Sequence, residues 1–576
     1  MNISKKAILS FIMALTSVVS MAQPYYHIMK DVNGKLTEDT VYNGKDYNIK
    51  IDMIEKYVFR IFAHNPIEFE YNQTINGKYL YYYGSDYFNF CIDSYVIINN
   101  KEVPVDWTIT KYEYSDDDGE NWIDNGTMKP SWLNKLSMRD DKSRVYTGRK
   151  YGQVRLTPAE LVNVNPVTTL LKNAKAKSNY DLSQGGETAN CYVISAPGTY
   201  KIPLIIGNAR KADGTVNDVC FNNPKPYVTY KNNAITSMWL KDHGGTPTSG
   251  SLVWSDCGDN IVSNLNVSGD FLTFTVSADN IVQGNAVVAV KDADGVIMWS
   301  WHLWFTERDA LSTIAFTNES NETNYFTRDE LGLVIQNYTG TSYTVPRRVR
   351  VTVTQAGSNK TAQLQISQNP KKPSFNYRTT LYQFGRKDAF AGVSEYKPGH
   401  PTLVPGKTTY QSSIQNPGTF YWNRKSLPDG GGTDWCSTNY CNGWAVGNTR
   451  TDKDVPTSAI VKSVYDPCPA GFKMPGSNAL NRITDYSVYR STYNESTRRR
   501  YYHDGRGNWL PIVQAGYMSG RSGFFDVSNE VSWTAIPYNS DFAWNCFMQH
   551  NNSASTGKIS TSWRASGINV RPVKDR

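Results

Sequence analysis

Residues 349–367, VRVTVTQAGSNKTAQLQIS, are the most telling stretch of the chain. Val349, Val351 and Val353 alternate with Arg350, Thr352 and Thr354, and Ala356-Gly357-Ser358-Asn359 supplies turn residues. Ala362, Leu364 and Ile366 then alternate with Gln363, Gln365 and Ser367. A period of two gives each strand one apolar face, so the stretch predicts a hairpin with one buried side. The same period recurs at 79–90, 105–114, 191–206, 272–276, 286–291 and 297–305, separated by Gly, Asn, Asp and Pro. Short strands punctuated this way predict a mostly β chain of tandem sandwiches rather than a parallel α/β sheet. Helical signals are few. Thr157-Pro158-Ala159-Glu160 offers an N-cap, a first-position proline and a capping-box glutamate, with Pro166 read as its interruption. Segment 172–190 is polar and reads as a linker, as does Gln368-Asn369-Pro370-Lys371-Lys372-Pro373. The expected modules are 23–170, 188–308, 311–370 and 375–576.

With 576 residues the chain is long enough for about four typical domains. Aromatic residues make up 13% and charged residues only 19%, which excludes a disordered, coiled-coil or collagen-like chain. The formal charge of +8 is spread without a Lys/Arg block, so no nucleic-acid partner is expected. His27, His64, His243, His302, His400, His503 and His550 are scattered, with no H-x-H or H-E-x-x-H spacing. No G-x-S-x-G, P-loop or strand-linked G-x-G-x-x-G is present either, so no catalytic residue, metal or cofactor is assigned. Asp116-Asp117-Asp118-Gly119-Glu120-Asn121 has the oxygen density of a calcium loop. Its sixth position is Asn121 and its twelfth Thr127, out of EF-hand register, so it reads as a solvated hairpin turn. Asp292-Ala293-Asp294-Gly295 reads as a tight turn between two strands.

Lys5 and Lys6 precede an apolar run from Ala7 to Val19, followed by Ser20-Met21-Ala22 before Gln23. This is the pattern of a secretory leader cleaved between Ala22 and Gln23, with an apolar run short for a bilayer span. Its removal lowers the formal charge to +6. No later stretch is long and apolar enough to span as a helix, so a secreted or cell-surface protein is expected. The eight cysteines are Cys91, Cys191, Cys220, Cys257, Cys436, Cys441, Cys468 and Cys546. An even number suits disulfides in an exported chain, though spacing alone does not give connectivity. Cys436 and Cys441 form a C-x4-C pair with no histidine close by, which reads as a loop disulfide or two buried thiols rather than a metal site.

Trp299-Ser300-Trp301-His302-Leu303-Trp304 places Trp299 and Trp301 on one strand face and His302 and Trp304 on the other. It reads as a strand buried on both sides, the alternative being an aromatic platform for sugars. In Tyr79-Leu80-Tyr81-Tyr82-Tyr83, one face is read as core and the other as ambiguous. Trp509, Trp533 and Trp563 are read as core. Arg498-Arg499-Arg500-Tyr501-Tyr502 is the candidate ligand contact, because Arg and Tyr dominate binding hot spots.

The run Tyr465-Asp466-Pro467-Cys468-Pro469-Ala470-Gly471-Phe472-Lys473-Met474-Pro475 resembles the D-P-C-P-x-G signature of the Fibrobacter succinogenes major paralogous domain. Two later motifs of that family are echoed by Val531-Ser532-Trp533-Thr534-Ala535 and Gly567-Ile568-Asn569-Val570-Arg571-Pro572-Val573. The resemblance covers roughly 410–576 and implies an α+β fold of the C-type-lectin-like and formylglycine-generating kind. Relatives carry a terminal cysteine where Pro572 stands here. Cys468 is therefore expected to pair elsewhere, with Cys546 a candidate, or to stay a thiol. Calcium-binding lectin motifs are approached only by Ser426-Leu427-Pro428-Asp429 and Trp544-Asn545-Cys546, so the resemblance does not imply calcium-dependent sugar binding. The run from Ala189-Asn190-Cys191 to Tyr200, together with Trp299-Ser300-Trp301-His302, resembles segments upstream of such domains in exported Bacteroidetes proteins, including fimbrial tip and fimbrillin-like chains. Val351–Gly357 and Ile366-Ser367-Gln368 resemble the closing strands of BACON-type immunoglobulin-like modules.

Together these resemblances imply surface display. The expected protein is a non-enzymatic adhesin, in the manner of a fimbrial tip component. Its immunoglobulin-like β modules form a stalk for a C-type-lectin-like domain that binds host protein or glycan, with other pilus subunits as further partners. The rival expectations are an enzyme on a formylglycine-generating-type fold, whose copper-binding C-x4-C pair Cys436 and Cys441 echo, and a pilus structural subunit.

Overall fold

In the computed structural model, residues 25–575 are described apart from short stretches, of which 125–132, 141–148, 393–400 and 424–433 are the longest. For most strands of the N-terminal part, the backbone alone is described. The chain is mostly β, with several sheets and, among the described residues, two α-helices. It divides into two units, Met1–Val162 with Gly340–Pro373 and Asn163–Thr339 with Ser374–Arg576.

The first unit contains a six-stranded antiparallel sheet in which Tyr87–Ile98 pairs with Tyr57–His64 on one side and Arg149–Leu156 on the other. Its second sheet contains the hairpin read from the sequence. Strands Arg347–Gln355 and Thr361–Gln368 pair with Val349 opposite Ile366, Val351 opposite Leu364 and Val353 opposite Ala362. The three valines are buried, as the alternation requires. The free side of Arg347–Gln355 pairs with Trp107–Ser115, where Arg350 lies opposite Glu113 and the two form a 2.7 Å ion pair. Residues 313–339 belong to the other unit, so segment 311–370 contributes to both.

The second unit begins with a correction. Pro166 opens helix Pro166–Asn173 instead of ending one: Asn165 accepts from the Val167 amide as N-cap, and the proline sits where its missing N–H costs nothing. Residues 157–160 lie outside the described residues. The expected linker 172–190 carries strand Lys177–Asp181, parallel to Gly198–Pro203. Backbone bonds suffice there, and Tyr180 packs edge-on against Tyr200. Two four-stranded sheets follow. One joins Lys177–Asp181, Gly198–Pro203, Phe271–Val276 and Ser263–Ser268; the other joins Cys191–Ile194, Ile297–Phe305, Gly284–Lys291 and Ser249–Ser255.

One core includes Tyr200, Leu272 and Phe274 of the first sheet, Val288, Trp299 and Trp301 of the second, and Tyr410, Trp435 and Tyr465 from the C-terminal part. A second core joins Cys191, Val287 and Trp304 to Phe384, Trp444, Cys468, Trp533 and Ile568. Strand Ile297–Phe305 is therefore buried on both sides. Each buried indole removes roughly 150–250 Å² from water, worth about 4–6 kcal/mol before the entropy of ordering. The regions read as modules 188–308 and 375–576 thus share their interior. The later sheets include Ser491–Asn494, Arg499–His503 and Trp509–Val513, then Asn529–Pro537, Phe542–His550 and Ser555–Trp563. No helix among the described residues is long and apolar enough to cross a membrane.

Candidate ligand-contact surface

The three motif segments are interior. Asp466 accepts from the Cys468 and Met474 amides at 2.8 and 2.9 Å, closing the proline-rich turn on itself. Asn190 Nδ2 donates to the carbonyls of Val464 and Asp466, both at 2.8 Å, while its Oδ1 accepts from Trp299 Nε1 at 3.1 Å. Asn208 Nδ2 donates to Ser463 O and Asp466 O. The Asn-Cys segment, the tryptophan strand and the Asp-Pro-Cys-Pro turn are thus one junction. Trp533 donates to Tyr382 O at 2.8 Å. Arg571, buried, donates to Glu330 Oε1 at 2.7 Å and to the carbonyls of Thr327, Arg328 and Pro511. In the same core, His302 accepts from Tyr382 OH at Nδ1 and donates from Nε2 to Asn285 Oδ1, and burial pushes its pKa down to about 3. Burial also raises the Asp466 carboxyl and the Cys468 thiol. These groups hold the fold.

The residues proposed from sequence separate in space. Ala22, Gln23, Arg498 and Cys441 lie outside the described residues. Arg499 points into an ion pair with Asp329 at 2.6 Å and bonds Tyr377 OH, leaving its side chain 14% exposed. Arg500 and Tyr501 are half-buried, and Tyr502 is core, clustered with Leu510 and Ile512. Alternation along strand Arg499–His503 divides the run between two faces, so it offers no single exposed patch. Cys436 is buried, with its amide on Asp434 Oδ1. Cys468 and Cys546 are buried thiols in different clusters, so they do not pair with each other. Asp117 is engaged by Ser115 and Asn121, and Asp118 by Arg348 at 2.5 Å, as in a hairpin turn held by its own side chains. The Asp292 carboxylate caps the amides of Asp294 and Val296, and Gly295 has φ +77°, as a tight turn requires. Among the described residues, no group of three or more His, Cys, Asp or Glu is placed to hold a metal ion.

A surface that sequence reading missed runs along strands Phe542–His550 and Ser555–Trp563. Phe542 lies directly opposite Trp563, with ring centroids 6.4 Å apart, and Trp544 is two residues on, so all three share one sheet face. Each is only partly buried. Tyr538, 47% exposed, meets Trp544 edge-on at 5.1 Å. Trp544 is held from beneath by its Nε1 donating to Thr451 O at 2.7 Å. The loop that leads from strand Asn529–Pro537 into Phe542–His550 is fixed as well, since Asn539 Oδ1 accepts from the amides of Asp541 and Phe542. At the other end, Arg521 lies over the Trp563 ring, 5.4 Å from its centroid. Beyond it, Leu403 and Trp422 close on Gly523, where φ is +69° and a Cβ would sit 3.3 Å from Leu403. Two expectations are corrected: Trp563 is only half-buried and Trp509 is 39% exposed, whereas Trp533 is core as read. The missed signal was Phe542-Ala543-Trp544, a period-two pattern that sets two large rings on one face of the strand.

No protein-family model, curated protein or solved structure matches this chain.

Proposed function

We propose that the chain is a non-enzymatic binding protein, exported by its N-terminal leader and secreted or held at the cell surface, that takes a host protein or glycan onto the aromatic stripe of its C-terminal part. The stripe carries the proposal. Phe542, Trp544, Trp563 and Tyr538 present ring area on a sheet face already anchored by the core, and Arg521 adds a cation at the edge. Trp, Tyr and Arg are the side chains that most often dominate binding energy, and rings held in place lose little entropy on contact. The leader pattern and the resemblance to exported adhesins agree with this role.

The test is capture by the full mature chain on arrays of glycans and host matrix proteins, repeated with the Trp544→Ala/Trp563→Ala double variant. The expected result is a set of retained ligands lost in the variant at an unchanged unfolding midpoint. Retention that survives the double substitution counts against the stripe.

A further inference from the structure

Among the described residues, the charges around the stripe separate into satisfied ones and one that is not. Arg450 is paired with Asp452 at 2.8 Å. Arg564 is buried, 3.6 Å from Asp434, and Asp541 is itself partnered. Arg521 is exposed and forms no ion pair among the described residues, its guanidinium meeting only the Trp563 ring. It is not on a swinging loop. Gly523 N bonds Ser519 O at 2.8 Å, Gly520 N bonds Ser566 Oγ at 3.2 Å, and Asn423 N bonds Gly520 O at 2.8 Å, which fastens residues 519–523 to the body. The cation is held beside a neutral indole, which does not offset its charge.

Resting on the reading of the stripe as the contact surface, we infer that its ligand is an acidic sugar. A pyranose lies on the Trp563 and Phe542 rings, and its anionic substituent, carboxylate or sulfate, is taken by Arg521. A planar guanidinium offers paired N–H donors that match either anion, and that of Arg521 already sits 5.4 Å from the centre of the Trp563 ring. Phe542 and Trp544 lie on the central strand, whose backbone is bonded on both sides. A ligand there meets ring faces rather than free amides, which suits a sugar face better than an added peptide strand. Asn539, exposed at the far end of the stripe with its oxygen already used, keeps its NH2 for a hydroxyl.

The experiment compares binding of the full mature chain to a hyaluronan tetrasaccharide, a chondroitin sulfate tetrasaccharide, neutral chitotetraose and a poly-glutamate peptide. It is repeated with Arg521→Gln, Arg521→Lys and Trp563→Ala. The expected result is that at least one acidic sugar binds about tenfold or more tighter than chitotetraose. Arg521→Gln should bring it to the neutral level, Arg521→Lys should keep part of the preference, and added salt should weaken the acidic ligands alone. Preference for hyaluronan identifies carboxylate as the anion, and preference for the sulfated sugar alone identifies sulfate. Equal binding of neutral and acidic sugars, lost in Trp563→Ala, overturns the acidic ligand while leaving the stripe intact. Preference for poly-glutamate overturns the sugar. Binding indifferent to both Arg521 and Trp563 overturns this inference and the proposed function together. Arg521 is exposed, so unchanged unfolding midpoints are expected and separate lost binding from lost fold.

Discussion

The indole of Trp299 is stacked on the phenol of Tyr465, with centroids 5.9 Å apart and planes inclined by 28°. One ring belongs to the tryptophan strand of the central sheets, the other opens the Asp-Pro-Cys-Pro segment. Their contact lies inside the core that both regions share. The tryptophan strand and the Asp-Pro-Cys-Pro segment thus meet each other in the interior, and what they secure is the body that bears the stripe.

Tyr465 OH donates to Val228 O at 2.5 Å and accepts from Val228 N at 2.9 Å. Tyr465→Phe leaves both backbone groups unpaired and is expected to cost about 1–3 kcal/mol. Tyr465→Ala adds a cavity and should cost about 3–5 kcal/mol. Urea midpoints check this. Tryptophan fluorescence and far-UV circular dichroism of the second unit should shift together, because the shared core unfolds as one.

Asn190→Asp replaces a two-carbonyl donor with an acceptor in a site without water contact. A loss of at least about 2 kcal/mol is expected. It should deepen as pH rises, since only the protonated carboxyl can still donate. Unfolding midpoints measured from acid to neutral pH give the slope.

Arg571→Met leaves the Glu330 carboxylate buried without its cation and should cost about 3–5 kcal/mol. Arg571→Lys keeps the charge but not the fork that reaches Thr327, Arg328 and Pro511. It should fall between wild type and Arg571→Met in thermal unfolding.

Two buried groups tilt stability with pH in opposite senses. His302 has its pKa lowered to about 3 by burial. The unfolded chain therefore takes up the proton first, and stability is lost as pH falls from about 6.5 toward 3. Glu530 is raised well above the usual carboxyl value by burial and then by the neighbouring Glu330, so the folded state keeps its proton longer. Its contribution is complete below about pH 4.3 and is lost as pH rises above that. Where both groups titrate, above about pH 4.3, the two slopes oppose each other. Measured against wild type, Glu530→Gln should gain in urea midpoint as pH rises above about 4.3.

The β character was legible because Val349, Val351 and Val353 face a core on one side only, and period two reports that directly. Strand Ile297–Phe305 was legible for the opposite reason, large apolar residues on both faces. Strand Lys177–Asp181 was not, because its pairing rests on backbone bonds that a polar sequence makes as well as an apolar one. The contact surface was misjudged at Arg499 and Tyr502. Charge and aromaticity were read there without partners, and Asp329 and Leu510, distant or inconspicuous in sequence, draw both side chains inward. Trp563 was misjudged in the other direction, since an indole alone does not say whether its strand face is covered.

The most direct measurement is oxidative footprinting of the full mature chain with and without a ligand that it retains on an array. The expected result is protection of Tyr538, Trp544 and Trp563 on binding, with Trp299 and Trp301 silent in both states because they are already buried. Protection confined to other residues, with those three rings equally reactive in both states, would contradict the account.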